Sequence, residues 1–261
     1  MKGAVMKVLS ISNIKGGIAK TTTTATLASG LHHRGYKVLM IDADPQSNLT
    51  MCFIKEPEDD DAPSLYHIYS KGHSINEVKI SIKSGLDLVV GDFSLCSADM
   101  EFFGRVGSLK VLYKAIKEVR DQYDFVLIDT PPNLGFLSLN AFMASDYIVT
   151  PMSADSFSLK AIRLLKKTID DVSDEAEKDI PVIGILLTRY NERTNIVKLL
   201  EESISTAANL LDTSLFNARI RQATVVQESQ LAKMDLYEYA PKSPVTRDYD
   251  NFVDELLQRL T

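Results

Sequence analysis

The sequence contains few cysteines and no long apolar segment. Its two cysteines among 261 residues, Cys52 and Cys96, lie far apart with no Cys-x-x-Cys pair, which argues against a disulfide framework and a zinc site. No apolar run reaches the roughly 18–20 residues that a membrane-spanning helix needs. The opening residues MKGAVMKVLSISN lack the apolar region and cleavage site of a signal peptide. We therefore expect a cytoplasmic protein that does not contact a membrane.

Positive charge is also scarce. The 29 lysines and arginines are outnumbered by 35 aspartates and glutamates, which gives a formal net charge of -6. Such a chain has no overall attraction to nucleic acid, so any DNA contact requires a local basic patch. The hydrophobic share of 45% and the charged share of 25% are typical of a globular protein and exclude the disordered and collagen-like classes.

Short apolar runs alternate with helical patterns along the chain. The runs lack strict polar alternation, as in strands covered by helices on both faces, and their alternation with helices is typical of a parallel sheet. The sequence therefore predicts one doubly wound α/β domain over residues 1–261, with a mostly parallel sheet and helices on both faces. The predicted strands are Val5–Ile11, Lys37–Ile41, Leu86–Val90, Phe125–Ile128, Tyr147–Thr150 and Val182–Leu187. The predicted helices are Thr21–Arg34, Leu109–Arg120, Leu134–Ala144, Ser158–Val172, Asn195–Leu211 and Ser243–Leu260.

The first predicted strand runs into a glycine turn, SNIKGGIAKTT, which opens a helix. Backbone N–H groups at such a turn and at a helix N-terminus bind anions, and Gly16 and Gly17 let the backbone approach the ligand closely. Lys20 would reach the β- and γ-phosphates of a nucleoside triphosphate, and the Thr21 hydroxyl would bind Mg²⁺. The turn therefore predicts a triphosphate site.

This turn departs from the common P-loop pattern GxxxxGK[ST]. Ile14 and Ala19 stand where that pattern has glycines, whereas the variant KGGxxK[ST][ST], with an additional lysine, fits. Ala19 raises a question about the local backbone dihedral angle, but not about phosphate binding. The predicted nucleotide-binding residues of the turn are Lys15, Gly16, Gly17, Ile18, Ala19, Lys20, Thr21 and Thr22.

Two of the predicted strands end in aspartate. The second runs into Asp42 and Asp44, and the fourth runs into Asp129. Ligands of an open parallel sheet lie beyond the carboxyl ends of its strands, and a hydrophobic strand that ends in Asp is typical of the Walker B carboxylate that holds Mg²⁺. We predict that Thr21, Asp42 and Asp129 surround Mg²⁺ and that Asp44 orients or deprotonates the attacking water. Because an ordinary Asp, with a pKa of about 3.9, is a weak base, we expect slow turnover.

The motifs KGGIAKTTT, DADPQSN and DTPP together resemble the ParA/Soj family of DNA-partition ATPases, within the MinD/ParA group of deviant-Walker ATPases, over essentially the whole chain. The resemblance implies a P-loop NTPase fold, ATP and Mg²⁺ as cofactors, and an ATP-dependent homodimer in which two subunits enclose two ATP molecules. The lysine that matches Lys15 reaches the phosphates bound to the other subunit, and the one that matches Lys20 binds its own. The aspartate that matches Asp44 is required for hydrolysis. Lys15, Lys20 and Asp44 are thus the catalytic candidates.

The resemblance also implies that the ATP-bound dimer binds double-stranded DNA without sequence preference. It implies a role in plasmid or chromosome partition, association with the nucleoid, and a ParB-type centromere-binding partner that triggers hydrolysis. In TRYNERTN, the best match to a DNA-contacting arginine of the family is Arg193. In NARIRQ, which lacks the usual preceding PRN, Arg221 is a better match than Arg219. The candidate DNA contacts are Arg189, Arg193, Arg219 and Arg221, and Asn191 is a further candidate nucleotide contact.

Some members of the family carry an N-terminal helix-turn-helix domain. Here the phosphate loop begins within the first twenty residues, so we expect neither that domain nor sequence-specific operator binding.

Three alternatives share parts of this pattern. A MinD-like positioning ATPase ends in a basic amphipathic helix that lies on lipid, whereas the end of this chain, DYDNFVDELLQRLT, is too acidic, so its apolar stripe should be a packing face. An iron–sulfur reductase or cluster-assembly ATPase would need cysteine ligands in a suitable motif. A binding module with an inactive nucleotide site is disfavoured by the retained lysines and aspartates.

Overall fold

The computed structural model describes residues 5–54, 62–153, 158–190 and 196–261. The strands are β1 (Lys7–Ile11), β2 (Val38–Asp42), β3 (Lys79–Lys83), β4 (Leu86–Val89), β5 (Phe125–Asp129), β6 (Tyr147–Ser153), β7 (Val182–Tyr190) and β8 (Leu215–Arg221). The helices are α1 (Lys20–His33), α2 (Asn48–Phe53), α3 (Leu65–Lys71), α4 (Ile75–Val78), α5 (Ala98–Phe102), α6 (Val111–Glu118), α7 (Phe136–Ala144), α8 (Leu159–Ala176), α9 (Ile196–Leu210), α10 (Thr224–Leu231), α11 (Leu236–Tyr239) and α12 (Pro244–Arg259).

These strands form a sheet with the order β3-β4-β2-β5-β1-β6-β7-β8. Neighbouring strands are parallel except β3 and β4, which are antiparallel. The predicted fold class, a doubly wound and mostly parallel α/β sheet of the P-loop NTPase type, is confirmed.

Helices cover both faces of this sheet. In β2, Leu39 and Ile41 belong to one hydrophobic core, and Val38 and Met40 belong to the core on the opposite face, because successive side chains of a strand point to opposite faces. Residues of α3, α6 and α7 complete the first core, and residues of α1 and α12 complete the second. This double coverage explains why the inner strands are mostly apolar.

The C-terminal helix α12 contributes a packing face. Its residues Val245, Phe252, Val253 and Leu256 are buried, in the same core as α1. The predicted role of its apolar stripe is confirmed. Within the described part of the chain, no helix combines the length and apolar character needed to cross a membrane.

Side chains of α12 also cover the outer edge of β8. Glu255 accepts hydrogen bonds from the N–H groups of Asn217 and Ala218, both at 3.0 Å. Asp248 accepts one from the N–H of Arg221, at 3.1 Å. The edge strands β3 and β8 are absent from the predicted set, because their exposed and partly exposed polar residues interrupt the apolar run that marks an inner strand.

The strand order brings the carboxyl ends of β2, β5 and β1 together. Asp42 pairs in register with Asp129, and Ile11 pairs with Asp129 on the other side. The phosphate loop that follows Ile11 therefore begins beside both aspartates, at the edge where open α/β sheets bind ligands.

Candidate functional site

The phosphate loop joins β1 to α1 and has a left-handed backbone at two positions. Gly17 has a φ of 73°, which glycine adopts without strain. Ala19, the N-cap of α1, has a φ of 66° and a ψ of 30°, a conformation that costs a non-glycine residue about 1–2 kcal/mol. Ala19 therefore has a left-handed backbone conformation, and this conformation lowers the stability of the loop.

Neighbouring strands hold this loop in place. The Thr188 hydroxyl of β7 donates a hydrogen bond to the carbonyl oxygen of Ile18, at 3.0 Å. The side-chain amide of Asn13 donates to the carbonyl oxygen of Pro151 in β6, at 2.9 Å. The loop is thus attached to the sheet on the side away from Asp42.

The two lysines of the loop have different environments. Lys20 is 7% exposed, and its Nζ donates to the carbonyl oxygen of Lys15, at 3.0 Å. Burial lowers the pKa of Lys20 from its ordinary value, although the charges of Asp129 and Asp44 oppose this shift. Lys15 is exposed to solvent. One lysine is therefore buried at the site, whereas the other is exposed at its rim.

Thr21 and Asp129 provide oxygen atoms of the kind that a magnesium ion prefers. The Thr21 hydroxyl donates to Asp129 Oδ2 at 2.7 Å, and the Thr24 hydroxyl lies 3.4 Å from Asp129 Oδ1. Nucleotide-bound Mg²⁺ is typically held by one or two protein oxygens together with phosphates and water. This pair therefore fits an ion bound between the loop and a triphosphate.

Asp42 lies beside Asp129, but its carboxyl group is hydrogen-bonded to residues that follow β2. Its Oδ2 accepts hydrogen bonds from the N–H and the hydroxyl of Thr50, both at 2.7 Å, and its Oδ1 accepts one from the N–H of Asp44, at 3.3 Å. Burial raises the pKa of Asp42 to about 6. Burial, with added repulsion from Asp42, raises the pKa of Asp129 well above its ordinary value. Of the three predicted metal ligands, Thr21 and Asp129 are in contact. The third, Asp42, is hydrogen-bonded to Thr50 instead.

A cavity of about 840 Å³ opens beside the loop, within the size range of small-molecule sites. The candidates that line it are Gly16, Gly17, Ala19, Lys20, Thr21, Thr22, Asp44, Arg189 and Arg221. Other residues that line the cavity were not identified from sequence patterns. They include Met51, Gln222, Gln227, Gln230, Lys233 and Tyr249. One of these residues contacts the first turn of α1, since the Gln230 amide donates to the Thr22 hydroxyl at 3.2 Å.

Arg219 and Arg221, the candidate DNA contacts in β8, have different partners. The exposed Arg219 places its guanidinium 5.0 Å from the centroid of the Tyr190 ring and donates to the Tyr190 hydroxyl, at 3.0 Å. Arg221 forms two hydrogen bonds with the carboxylate of Asp248, at 2.6 and 2.8 Å. Asp248 therefore offsets the charge of Arg221, whereas the charge of Arg219 lies over an aromatic ring.

The remaining candidates follow Thr188. Arg189 lies on the cavity wall and has a left-handed φ of 53°, which is uncommon for a non-glycine residue. Asn191 and Arg193 lie outside the described residues.

The two cysteines have different environments. Cys52 is buried on the cavity wall, where its thiol donates to the carbonyl oxygen of Asn48 at 3.2 Å. Burial raises the pKa of Cys52 to about 12. Cys96 is exposed. One cysteine is thus buried beside the cavity, and the other lies at the surface.

Comparisons with known proteins cover this site and the whole chain. A family model described as an AAA domain matches residues 6–182, which include the phosphate loop and all three aspartates. Sporulation initiation inhibitor protein Soj of Bacillus subtilis is 32% identical over 197 residues, covering 75% of this chain and 78% of that protein. Chromosome-partitioning ATPase Soj of Thermus thermophilus is 29% identical over 262 residues, covering 100% of this chain and 99% of that protein. A crystal structure of cobyrinic acid a,c-diamide synthase from Mycobacterium smegmatis with bound ATP analog and magnesium has a TM-score of 0.81 at 27% identity, covering 98% of this chain and 96% of that one.

Proposed function

Because this chain belongs to the ParA/Soj-type family of P-loop ATPases, we propose that it is a DNA-partition ATPase that closes into a homodimer on binding ATP and Mg²⁺. ATP and Mg²⁺ are its cofactors, a view supported by the similar M. smegmatis structure with its bound ATP analog and magnesium. Hydrolysis of the γ-phosphate reverses the closure.

The contrast between Lys15 and Lys20 is the observation that carries this proposal. Lys20 is buried and lines the cavity, which supports a role in binding the phosphates of its own nucleotide. Lys15 is exposed at the rim, so its ammonium group is free to reach the phosphates held by a second copy. There it offsets negative charge that would otherwise oppose closure. The γ-phosphate therefore acts as the switch for dimerisation.

The same residues account for slow hydrolysis. Thr21 and Asp129 would hold Mg²⁺, and the ion would offset negative charge on the phosphates. Asp44, on the cavity wall, orients the attacking water. A carboxylate is a weak base at neutral pH, so its position contributes more to the rate than its basicity.

The closed dimer binds double-stranded DNA without sequence preference. The net charge of -6 gives one copy little attraction to DNA, so binding depends on basic patches from two copies acting together. The patch includes Arg193 and the exposed Arg219. A ParB-type centromere-binding partner stimulates hydrolysis and thereby releases the protein from the nucleoid.

An electrophoretic shift of random-sequence duplex DNA tests this function. We expect a shift with ATP and none with ADP or without nucleotide, together with ATP-dependent dimerisation in sedimentation. Lys15→Gln should abolish the shift and the dimer while retaining nucleotide. Lys160→Gln, which removes an exposed lysine of α8, is the matched control and should behave as wild type. A DNA shift that is independent of nucleotide, or an ATP-bound protein that stays monomeric, contradicts the proposal.

A further inference from the structure

Residues 42–50, the segment that carries Asp44, are held at both ends by hydrogen bonds. Asp42, at the end of β2, accepts two hydrogen bonds of 2.7 Å from Thr50 in α2. The same carboxyl group accepts a third from the N–H of Asp44, at 3.3 Å. The two ends of the segment are therefore joined, and Asp44 is attached to the group that joins them.

Gly91, in the loop after β4, forms a further hydrogen bond with Thr50. Its N–H donates to the Thr50 hydroxyl at 3.1 Å, so this hydroxyl donates to Asp42 and accepts from Gly91. A Cβ at Gly91 would lie 2.7 Å from the carbonyl oxygen of Asp42 and 3.1 Å from that of Asp44. Because Thr50 is 2% exposed, bulk water does not replace these bonds when one is lost.

We propose that Thr50 is a positioning residue for ATP hydrolysis, which holds Asp44 at the cavity wall by fastening Asp42 and Gly91 around the segment. The inference rests on the proposed function, which assigns the attacking water to Asp44. Thr50 is not among the residues that line the cavity, so its hydroxyl acts through Asp42 and Asp44. A misplacement of about 1 Å at a reacting centre can lower a rate by about 100-fold. Loss of the hydroxyl should therefore lower turnover without weakening ATP binding.

Four variants separate positioning from general structure. Thr50→Val keeps the side-chain shape and removes the hydroxyl, whereas Thr50→Ser keeps the hydroxyl. Gly91→Ala keeps Thr50 and places a Cβ against the Asp42 and Asp44 carbonyl groups. Thr246→Val is the matched control, since the buried Thr246 hydroxyl donates to the carbonyl oxygen of Ala240 at 2.7 Å, at the start of α12. For each protein we would measure kcat and KM for ATP, calorimetric Kd for ATP–Mg²⁺, thermal unfolding, and amide hydrogen exchange over residues 42–50.

We expect Thr50→Val to lower kcat by about 10- to 100-fold, with Kd within about twofold of wild type and faster exchange over residues 42–50. Thr50→Ser should retain at least about half of the wild-type kcat, and Thr246→Val should match wild type. Gly91→Ala should also lower kcat. If Thr50→Val does not fold, the kcat of Gly91→Ala tests the positioning role instead.

Wild-type kcat in Thr50→Val or in Gly91→Ala overturns the proposal. So does a joint loss of kcat and ATP affinity that Thr50→Ser does not rescue. If the wild-type protein has no ATP turnover, the proposed function fails instead, and hydrogen exchange still reports whether Thr50 holds the segment.

Discussion

Asp42 and Asp129 are register partners on adjacent parallel strands, and both side chains are completely buried. Burial raises the pKa of both carboxyl groups, that of Asp42 to about 6. The ionised pair is therefore unfavourable in the protein without ligand, and a divalent cation between the phosphate loop and Asp129 would favour it. Metal binding and ionisation of this pair are thus coupled.

Asp42→Asn should remove a pH-dependent loss of stability. Between about pH 4 and 6, folded Asp42 keeps a proton that the unfolded chain has released, so the free energy of unfolding falls as the pH rises and then levels off. The wild-type protein should lose about 1–3 kcal/mol relative to the variant across this range. Denaturant unfolding in EDTA, from about pH 4.5 to 7.5, measures this loss. If the difference in unfolding free energy between the two proteins does not change with pH, Asp42 is not the cause of the pH-dependent loss.

Ala19→Gly should stabilise the protein without nucleotide. The φ of 66° at Ala19 costs alanine about 1–2 kcal/mol, whereas glycine loses about 0.5–1 kcal/mol more through backbone entropy. The net gain is about 0–1.5 kcal/mol, and each 1 kcal/mol should raise Tm by about 2–4 °C. Ala161→Gly, in the right-handed helix α8, is the control and should lower Tm. A lower Tm for Ala19→Gly would mean that the loop does not strain alanine.

Asp44→Ala should abolish turnover and leave ATP binding and dimerisation intact. The Asp44 carboxylate accepts a hydrogen bond from the N–H of Gln46, at 2.9 Å, and faces the cavity. Its loss should lower kcat by about 10²–10⁴-fold. Phosphate release, calorimetry and sedimentation measure the three properties, with the exposed Asp121→Ala as the control. Turnover at the wild-type rate would exclude Asp44 from catalysis.

Arg219→Ala and Arg221→Ala should have different effects. Loss of Arg219 should weaken DNA binding and reduce the slope of log K against log salt by about 0.9 per lost phosphate contact. Loss of Arg221 leaves the mostly buried Asp248 without its guanidinium partner, so the free energy of unfolding should fall by about 1 kcal/mol. DNA retention over a range of salt concentrations and thermal unfolding distinguish the two effects. Unchanged DNA affinity in Arg219→Ala would remove it from the proposed surface.

The inner strands were predictable because they are buried on both faces. β1, β2, β4, β5, β6 and β7 begin within two residues of the predicted positions, since each is a mostly apolar run between polar turns. The contact between Thr21 and Asp129 also follows from sequence. A phosphate loop after one strand and an aspartate at the end of another meet wherever those strands are neighbours.

Contacts made by residues outside any recognisable motif were not predictable. Thr50 is an ordinary threonine in sequence, and its role depends on Asp42 and Gly91 at the ends of two other strands. β8 carries exposed polar side chains at Asn217, Arg219 and Arg221, and its edge is covered by Glu255 and Asp248 of α12 rather than by another strand. In both cases the decisive hydrogen bonds link segments whose spacing in the chain carries no periodic signal.

The covering of β8 by α12 has a consequence for how copies of this protein associate. The main-chain donors of Asn217, Ala218 and Arg221 are already bound to carboxylates. A strand from another molecule would have to displace these charged acceptors before it could pair there. This border is therefore protected against sheet extension and fibril-like stacking through β8.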